Sequence, residues 1–359
     1  MRSPFAAAAL LLLGACTVPE PDREQRLANE AGIAAAQADT PAADTASSGA
    51  AAISLPEIRE AERASGGTLG LMAIHLPSGR RIGHNAAERF PMASTFKLAV
   101  SLAVLARVDS GSMRLDQPVT LLPRDFRLGP QPLADTVGPR GGTVMVGQML
   151  RSMMVYSDNL VTDKLMRMVG GPAAINAHLR SRGIDGIRVD RYEAEVHWQY
   201  AGVRDVPPEA EWTLRRFDSI TSAVPRAQKD SAHAAFFRDP RDTATPDAFA
   251  ALMAQVARGD GLSPASHRFL LDAMRASPTG RRRIRGALPE GTVVADKTGT
   301  IGSTTNDVGL MTLPDGSQVA IAVLVKDSPL LTAEAEPAIA RAARAVYDHF
   351  AGAGVGESR

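Results

Sequence analysis

The stretch Phe90-Pro91-Met92-Ala93-Ser94-Thr95-Phe96-Lys97-Leu98-Ala99-Val100-Ser101-Leu102-Ala103-Val104-Leu105-Ala106-Arg107-Val108 sets the reading of the whole chain. Past Pro91, apolar and small residues recur at helical spacing through Phe96, Leu98, Leu102, Leu105 and Val108, which places Ser94 and Lys97 in the first turn of a buried helix. One turn apart, the two face the same way. A serine hydroxyl is a weak nucleophile unless a base lies within hydrogen-bond reach, and a desolvated lysine can supply one. The helix start adds backbone N–H groups that can hold a developing oxyanion. Alone, the pair reads more plainly as a helix cap beside a solvated lysine. Its role depends on what the rest of the chain supplies.

The chain has 359 residues, enough for one large domain or two, and 40 basic against 39 acidic side chains leave it near neutral. That removes the electrostatic case for a nucleic-acid partner and points to a small-molecule substrate. The N-terminus reads as an export signal over residues 1–15: Arg2, an apolar run from Phe5 to Leu13, then Leu13-Gly14-Ala15-Cys16. The run is too short to span a bilayer, and its charged start and small-residue end suit cleavage. Leu-Gly-Ala-Cys resembles the bacterial lipobox. Cys16 is the only cysteine, so lipid attachment explains it better than a disulfide, redox chemistry or a metal. A plain secretory signal is the other reading, and the mass of the mature N-terminal peptide separates the two. Both export the protein, to the periplasm in a Gram-negative host, where Thr17 after Cys16 favours the outer membrane. Residues 16–54, rich in Ala, Asp, Pro, Ser and Thr, cannot bury enough surface to offset their ordering entropy and read as a flexible tether.

Leu55 to Ala64 reads as a short surface helix, and Gly67 to Leu76 with Arg80 to Asn85 as a hairpin around Pro77-Ser78-Gly79. Gln117 to Val137 reads as loop; helical patterns cover Val144 to Met154, Leu160 to Val169, Pro172 to Ser181, Pro246 to Arg258 and Pro264 to Ala276. Three strand-like runs follow: Thr292 onward into Lys297, Asp307 to Leu313, and Gln318 to Val325. A last helix runs from Thr332 to Phe350 and a short tail covers 353–359. This order predicts an α/β fold: a five-stranded antiparallel sheet flanked by helices, with an all-helical subdomain inserted between strands 2 and 3. The sheet part is expected at about 55–88 and 286–352, and the helical part at about 89–285.

Ser94-x-x-Lys97, Ser157-Asp158-Asn159 and Lys297-Thr298-Gly299 occur in that order, on a helix start, a loop and a strand. This set resembles the penicillin-recognising serine enzymes, among them the class A β-lactamases and penicillin-binding proteins. The resemblance implies attack by Ser94, proton transfer through Lys97, protonation of the leaving nitrogen through Ser157 and Lys297, and an oxyanion hole from the N–H groups of Ser94 and Thr300. It places Asn159 on the substrate's side-chain amide and Thr298, Gly299 and Thr300 along the substrate. Arg283, fourteen residues before Lys297, falls on an arginine that binds the substrate carboxylate in several members.

Asp190-Arg191-Tyr192-Glu193 resembles the start of the class A Ω-loop, and Arg241-Asp242-Thr243 its end, giving a loop at about 190–242. Glu193 then falls on the general base that activates the deacylating water. Arg191 and Asp242 fall on the pair that closes the loop. A buried bidentate pair there would cost on the order of 3 to 5 kcal/mol to break. Three departures stand out. His197 replaces the usual water-holding asparagine and predicts an acidic limb in the pH–rate profile that changes in His197→Asn. Asp163 stands where asparagine is usual. The segment from about His197 to Phe237 is an insertion whose Trp198, Tyr200, Trp212 and Phe217 imply that it folds. It either covers or widens the site.

The expectation is therefore an exported serine β-lactamase of class A type, monomeric, with no cofactor and no metal site, since no His-Glu-x-x-His or cysteine cluster occurs. The alternatives are a peptidoglycan DD-carboxypeptidase or transpeptidase, and a non-catalytic lipoprotein of the same fold.

Overall fold

Gln318–Lys326 (β9) is an almost unbroken apolar run, the pattern of a strand covered on both faces. In the computed structural model, which describes residues 52–356 with side chains to 352, it is the middle of a five-stranded antiparallel sheet. The order is β2 (Arg81–His84), β1 (Thr68–His75), β9, β8 (Thr304–Thr312), β7 (Val294–Ile301). Thr68 pairs with Lys326 and His75 with Val319 on one side of β9, and Thr305 with Val325 on the other. The expected signal, Cys16 and most of the tether lie outside the described residues. Among the described residues no helix is long and apolar enough to cross a membrane.

The period-two alternation of β9 feeds two cores. Val319, Ile321, Val323 and Val325 pack with Ile58 of α1 (Pro56–Ser65) and with Ile339, Val346 and Phe350 of α12 (Thr332–Gly356). Ala320, Ala322 and Leu324 face a larger core built on Leu98, Leu102 and Leu105 of α2 (Lys97–Asp109). The segment expected as a surface helix is thus amphipathic: Pro56 opens it, Ile58 and Ala61 are buried, and Gly66 at φ +68° ends it. α2 is buried on every side from Lys97 to Leu105, as a helix apolar all round must be.

Between β2 and β7 lie α2, α3 (Leu133–Val137), α4 (Val146–Tyr156), α5 (Thr162–Val169), α6 (Gly171–Ser181), α7 (Glu193–Tyr200), α8 (Leu214–Ser222), α9 (Arg226–Phe236), α10 (Pro246–Arg258) and α11 (Pro264–Arg275). The inserted region is not wholly helical. Phe90–Pro91 (β3) pairs with Thr243–Ala244 (β6), and Pro118–Leu121 (β4) with Gly142–Met145 (β5). β4 and α3 fall within the stretch expected as loop. The β3–β6 ribbon is short but positions the site, because it joins the segment before Ser94 to the end of the Ω region: Met92 N–H donates to Asp242 O at 2.9 Å.

The insertion does fold. Trp198 and Trp212 are buried in a small cluster with Ala194 and Val203, against Phe217, Ile220 and Val224. Trp198 and Phe217 ring centroids are 4.7 Å apart.

Candidate active site

Ser94 lies in a 3₁₀ turn, Ala93–Phe96, and α2 begins at Lys97, so the nucleophile candidate precedes the α-helix rather than sitting inside it. Ala93 enters the turn at φ +46°. Ser157 (φ +61°), which ends α4, and Asp242 (φ +51°) share this left-handed backbone. Such conformations cost roughly 1–3 kcal/mol each and persist where surrounding contacts over-determine them. Among the described residues, three of the five non-glycine residues with positive φ flank one pocket.

The left-handed turn at Ser157 aims its hydroxyl between two lysines. Lys297 Nζ donates to Ser157 Oγ at 3.0 Å, and Lys97 Nζ lies 3.5 Å from the same oxygen. Lys97 also donates to Ser157 O at 3.0 Å and to Asn159 Oδ1. With its lone pairs turned to ammonium groups, the hydroxyl keeps its proton for another acceptor. Both lysines are fully buried. Burial pulls Lys97 below the ordinary lysine value, with Glu193, Asp158 and Asp163 pulling it back. Burial, aided by the charges of Lys97 and Arg283, pulls Lys297 well below it. Asp158, between the two predicted polar partners, is structural: it accepts from Ser152 Oγ and from the N–H groups of Leu133 and Leu160.

Gly299 brings β7 against the Ser94 turn. A Cβ there would stand 2.5 Å from Met92 O and 3.1 Å from Ser94 N, so only glycine allows β7 to approach the Ser94 turn this closely. Asn306 of β8 fastens the same turn by donating to Pro91 O (2.8 Å) and Met92 O (3.1 Å).

Glu193 starts α7, not a loop. Its N–H donates to Asp163 Oδ1 at 2.6 Å and that of Ala194 to Asp163 Oδ2 at 3.1 Å, so one buried carboxylate holds the helix start. Asp163 is in turn held by Arg127, whose Nε and Nη2 are each 2.9 Å from Oδ2. The Glu193 side chain then reaches Lys97, with Oε2 3.7 Å from Nζ, and His197, with Oε1 3.5 Å from Nε2. Glu193 Oε2 is buried with no hydrogen-bond partner among the described residues. His197 is held below the ordinary imidazole value by burial, opposed by Glu193 and Asp163. The expected acidic limb therefore moves to the acid side of that value. Activity that depends on neutral His197 is complete above its folded pKa and falls as pH drops through it, and the His197→Asn profile should lose that component. Superimposable kcat profiles for the two proteins would remove His197 from the reaction.

Arg191 and Asp242 meet, through Nε and Oδ2 at 2.5 Å, but the pair is not bidentate. Asp242 Oδ1 instead accepts the N–H groups of Asp190 and Arg191. Arg191 Nη1 turns to Gln199 Oε1 (2.7 Å) and Asp239 (3.3 Å), both in or beside the insertion, so the loop is closed by a branched junction. Arg283 departs from expectation too. It lines the pocket, yet its guanidinium is bound to Glu336, Gly299 O, Asn306 O and, through Nη2, to Thr300 Oγ1 at 2.6 Å. One N–H of Nη2 is left, so Arg283 chiefly fixes the exposed Thr300 hydroxyl. Thr298 Oγ1 is similarly paired with Thr279 Oγ1 at 2.7 Å. Arg285 is structural and pairs with buried Asp296.

Ser94, Ser157, Asn159, Glu193, His197 and Thr298 open on a single cavity of about 440 Å³. Arg127, Thr279, Asn306 and the pocket face of Tyr200 and Phe236 were not legible as site residues. Only Tyr200 carried a signal: Glu193, His197 and Tyr200 stand at i, i+4 and i+7, one face once the segment is read as a helix.

The sequence model of the β-lactamase enzyme family matches residues 56–350. The extended-spectrum β-lactamase PER-1 of Pseudomonas aeruginosa is 32% identical over 274 residues, covering 73% of this chain and 76% of PER-1. Among solved structures, an ancestral (GNCA) class A β-lactamase is 34% identical, with a TM-score of 0.67 over 82% of this chain and 98% of that one. A β-lactamase from Chitinophaga pinensis is 28% identical at a TM-score of 0.67, again covering 82% and 98%. A matching family model over most of the chain, one shared fold and three motifs gathered on one cavity have a single consequence: the chain belongs to the β-lactamase enzyme family, as a hydrolase of class A.

Proposed function

We propose that this enzyme opens the β-lactam amide through an acyl-enzyme on Ser94 and releases the acid with a water activated by Glu193. Ser94 Oγ bonds to the ring carbonyl carbon, and its proton passes to the Lys97–Glu193 pair. The carbonyl oxygen becomes an oxyanion facing the Ser94 and Thr300 amides. As the C–N bond breaks, the nitrogen takes the Ser157 proton, and the adjacent lysines resupply that hydroxyl. A water then gives its proton to Glu193 while its oxygen bonds to the acyl carbon, and Ser94 leaves with a proton.

The observation that carries this reading is the buried, unpartnered Oε2 of Glu193, 3.7 Å from Lys97 in the same cavity as Ser94. A penicillin-binding transpeptidase needs no such second base. The test is to mix the protein with a chromogenic cephalosporin and follow colour alongside intact mass. Sustained turnover is expected. One equivalent of colour followed by a stable adduct would mark a transpeptidase or carboxypeptidase, and neither colour nor adduct a retired binding protein.

A further inference from the structure

The insertion presents an aromatic surface to the pocket that the proposed chemistry does not use. Tyr200, at the end of α7, stacks on His233 with ring centroids 4.1 Å apart and 21° between planes. Phe236, at the end of α9, meets Tyr200 edge-on at 5.3 Å, and Phe237 meets Phe236 edge-on at 5.3 Å. The Arg191 guanidinium lies 5.4 Å from the Phe236 ring centre and ties this group to the loop closure. On the far side the group abuts the β7–β8 turn: a Cβ on Gly302 would come 2.3 Å from Tyr200 Oη and 2.7 Å from Phe237 Cζ. The insertion thus bridges the Ω region and the edge strand of the sheet. Tyr200 and Phe236 are half-buried, and both line the 440 Å³ cavity beside Ile301.

The position fixes what would meet this wall. In the reaction proposed above, the leaving nitrogen faces Ser157 and Lys297, so the acyl end of the substrate points away from them. Glu193, His197 and Tyr200 share one face of α7 and line the same cavity, so an acyl side chain directed away from Ser157 and Lys297 would meet that face. We infer that Tyr200 and Phe236 form a stacking subsite for a flat aromatic or heteroaromatic ring on the substrate's acyl side chain. The insertion then neither simply covers nor widens the site; it selects among substrates. Rings of this kind prefer offset or edge-on neighbours, and the Tyr200–Phe236 corner offers both.

This inference rests on the hydrolytic reading, and the experiment keeps the two apart. Values of kcat/KM are measured for a phenylacetyl penicillin and for 6-aminopenicillanic acid, which has no acyl side chain, in wild type, Tyr200→Leu, Phe236→Leu and Tyr200→Phe. The ratio of the two values should fall by about tenfold in each leucine variant and return in Tyr200→Phe. An unchanged ratio, or a parallel fall for both penicillins, overturns the subsite while leaving hydrolysis intact. Wild type that turns over neither penicillin overturns the hydrolytic reading and the subsite with it. Should the leucine variants not fold, wild type alone decides: a cyclohexylacetyl penicillin should be a several-fold poorer substrate than its phenylacetyl counterpart, and equal values reject stacking.

Discussion

Glu193→Gln should consume one equivalent of a chromogenic cephalosporin and then stop. The amide keeps the shape of the carboxylate, and the bonds that fix the start of α7 run from the backbone of Glu193 and Ala194 to Asp163, so the substitution leaves them in place. What is lost is a buried carboxylate oxygen that faces Lys97 and has no hydrogen-bond partner among the described residues. A positioned general base contributes about 10²- to 10⁴-fold, and the steady-state kcat should fall by that amount, with an adduct of acyl mass accumulating on Ser94. Acylation should slow as well, though less, because Lys97 loses a counter-charge 3.7 Å away and its proton affinity drops further. Stopped-flow colour with intact mass separates the steps. Full turnover would remove Glu193 from deacylation; absence of both burst and adduct would place its main work in acylation.

The motifs were legible because each is local: Ser94 and Lys97 are one turn apart, and Ser157 to Asn159 and Lys297 to Gly299 are contiguous. Their order along the chain stood in for their meeting in space. The five strands were legible through period-two alternation and turn residues, with ends displaced by a few positions, as at β8, which begins at Thr304 rather than Asp307. Arg127 was not, because it sits in a Pro- and Gly-rich stretch and gains its meaning from Asp163, 36 residues later. The branching of Arg191 was hidden for the same reason, since its partners Gln199 and Asp239 belong to the insertion. Four aromatic residues announced that the insertion folds. They did not announce which would turn inward, Trp198 and Trp212, and which would face the pocket, Tyr200.

Asp163→Asn should destabilise the protein by about 3–5 kcal/mol, the usual cost of leaving one member of a buried ion pair without the other. Among the described residues Asp163 is the sole carboxylate in hydrogen-bond reach of the Arg127 guanidinium, which otherwise has only Arg124 O and Phe126 O, and both residues are buried. The asparagine carbonyl can take one of the two α7 N–H groups, but its amide brings donors to a place where every neighbour is a donor. Glu193 should then lose its fixed position, so deacylation should slow along with the fall in stability. Arg127→Leu tests the logic from the other side. It leaves a carboxylate still bound to two backbone N–H groups, a smaller penalty, and the double variant should recover part of the stability lost by Asp163→Asn because no buried cation remains. Denaturant titration of all four proteins gives the coupling, and single-turnover deacylation gives the consequence for Glu193. Near-additive effects would mean that Arg127 and Asp163 act separately. Strong coupling would explain why position 163 carries a carboxylate: Arg127 requires it, and the start of α7 is built on the result.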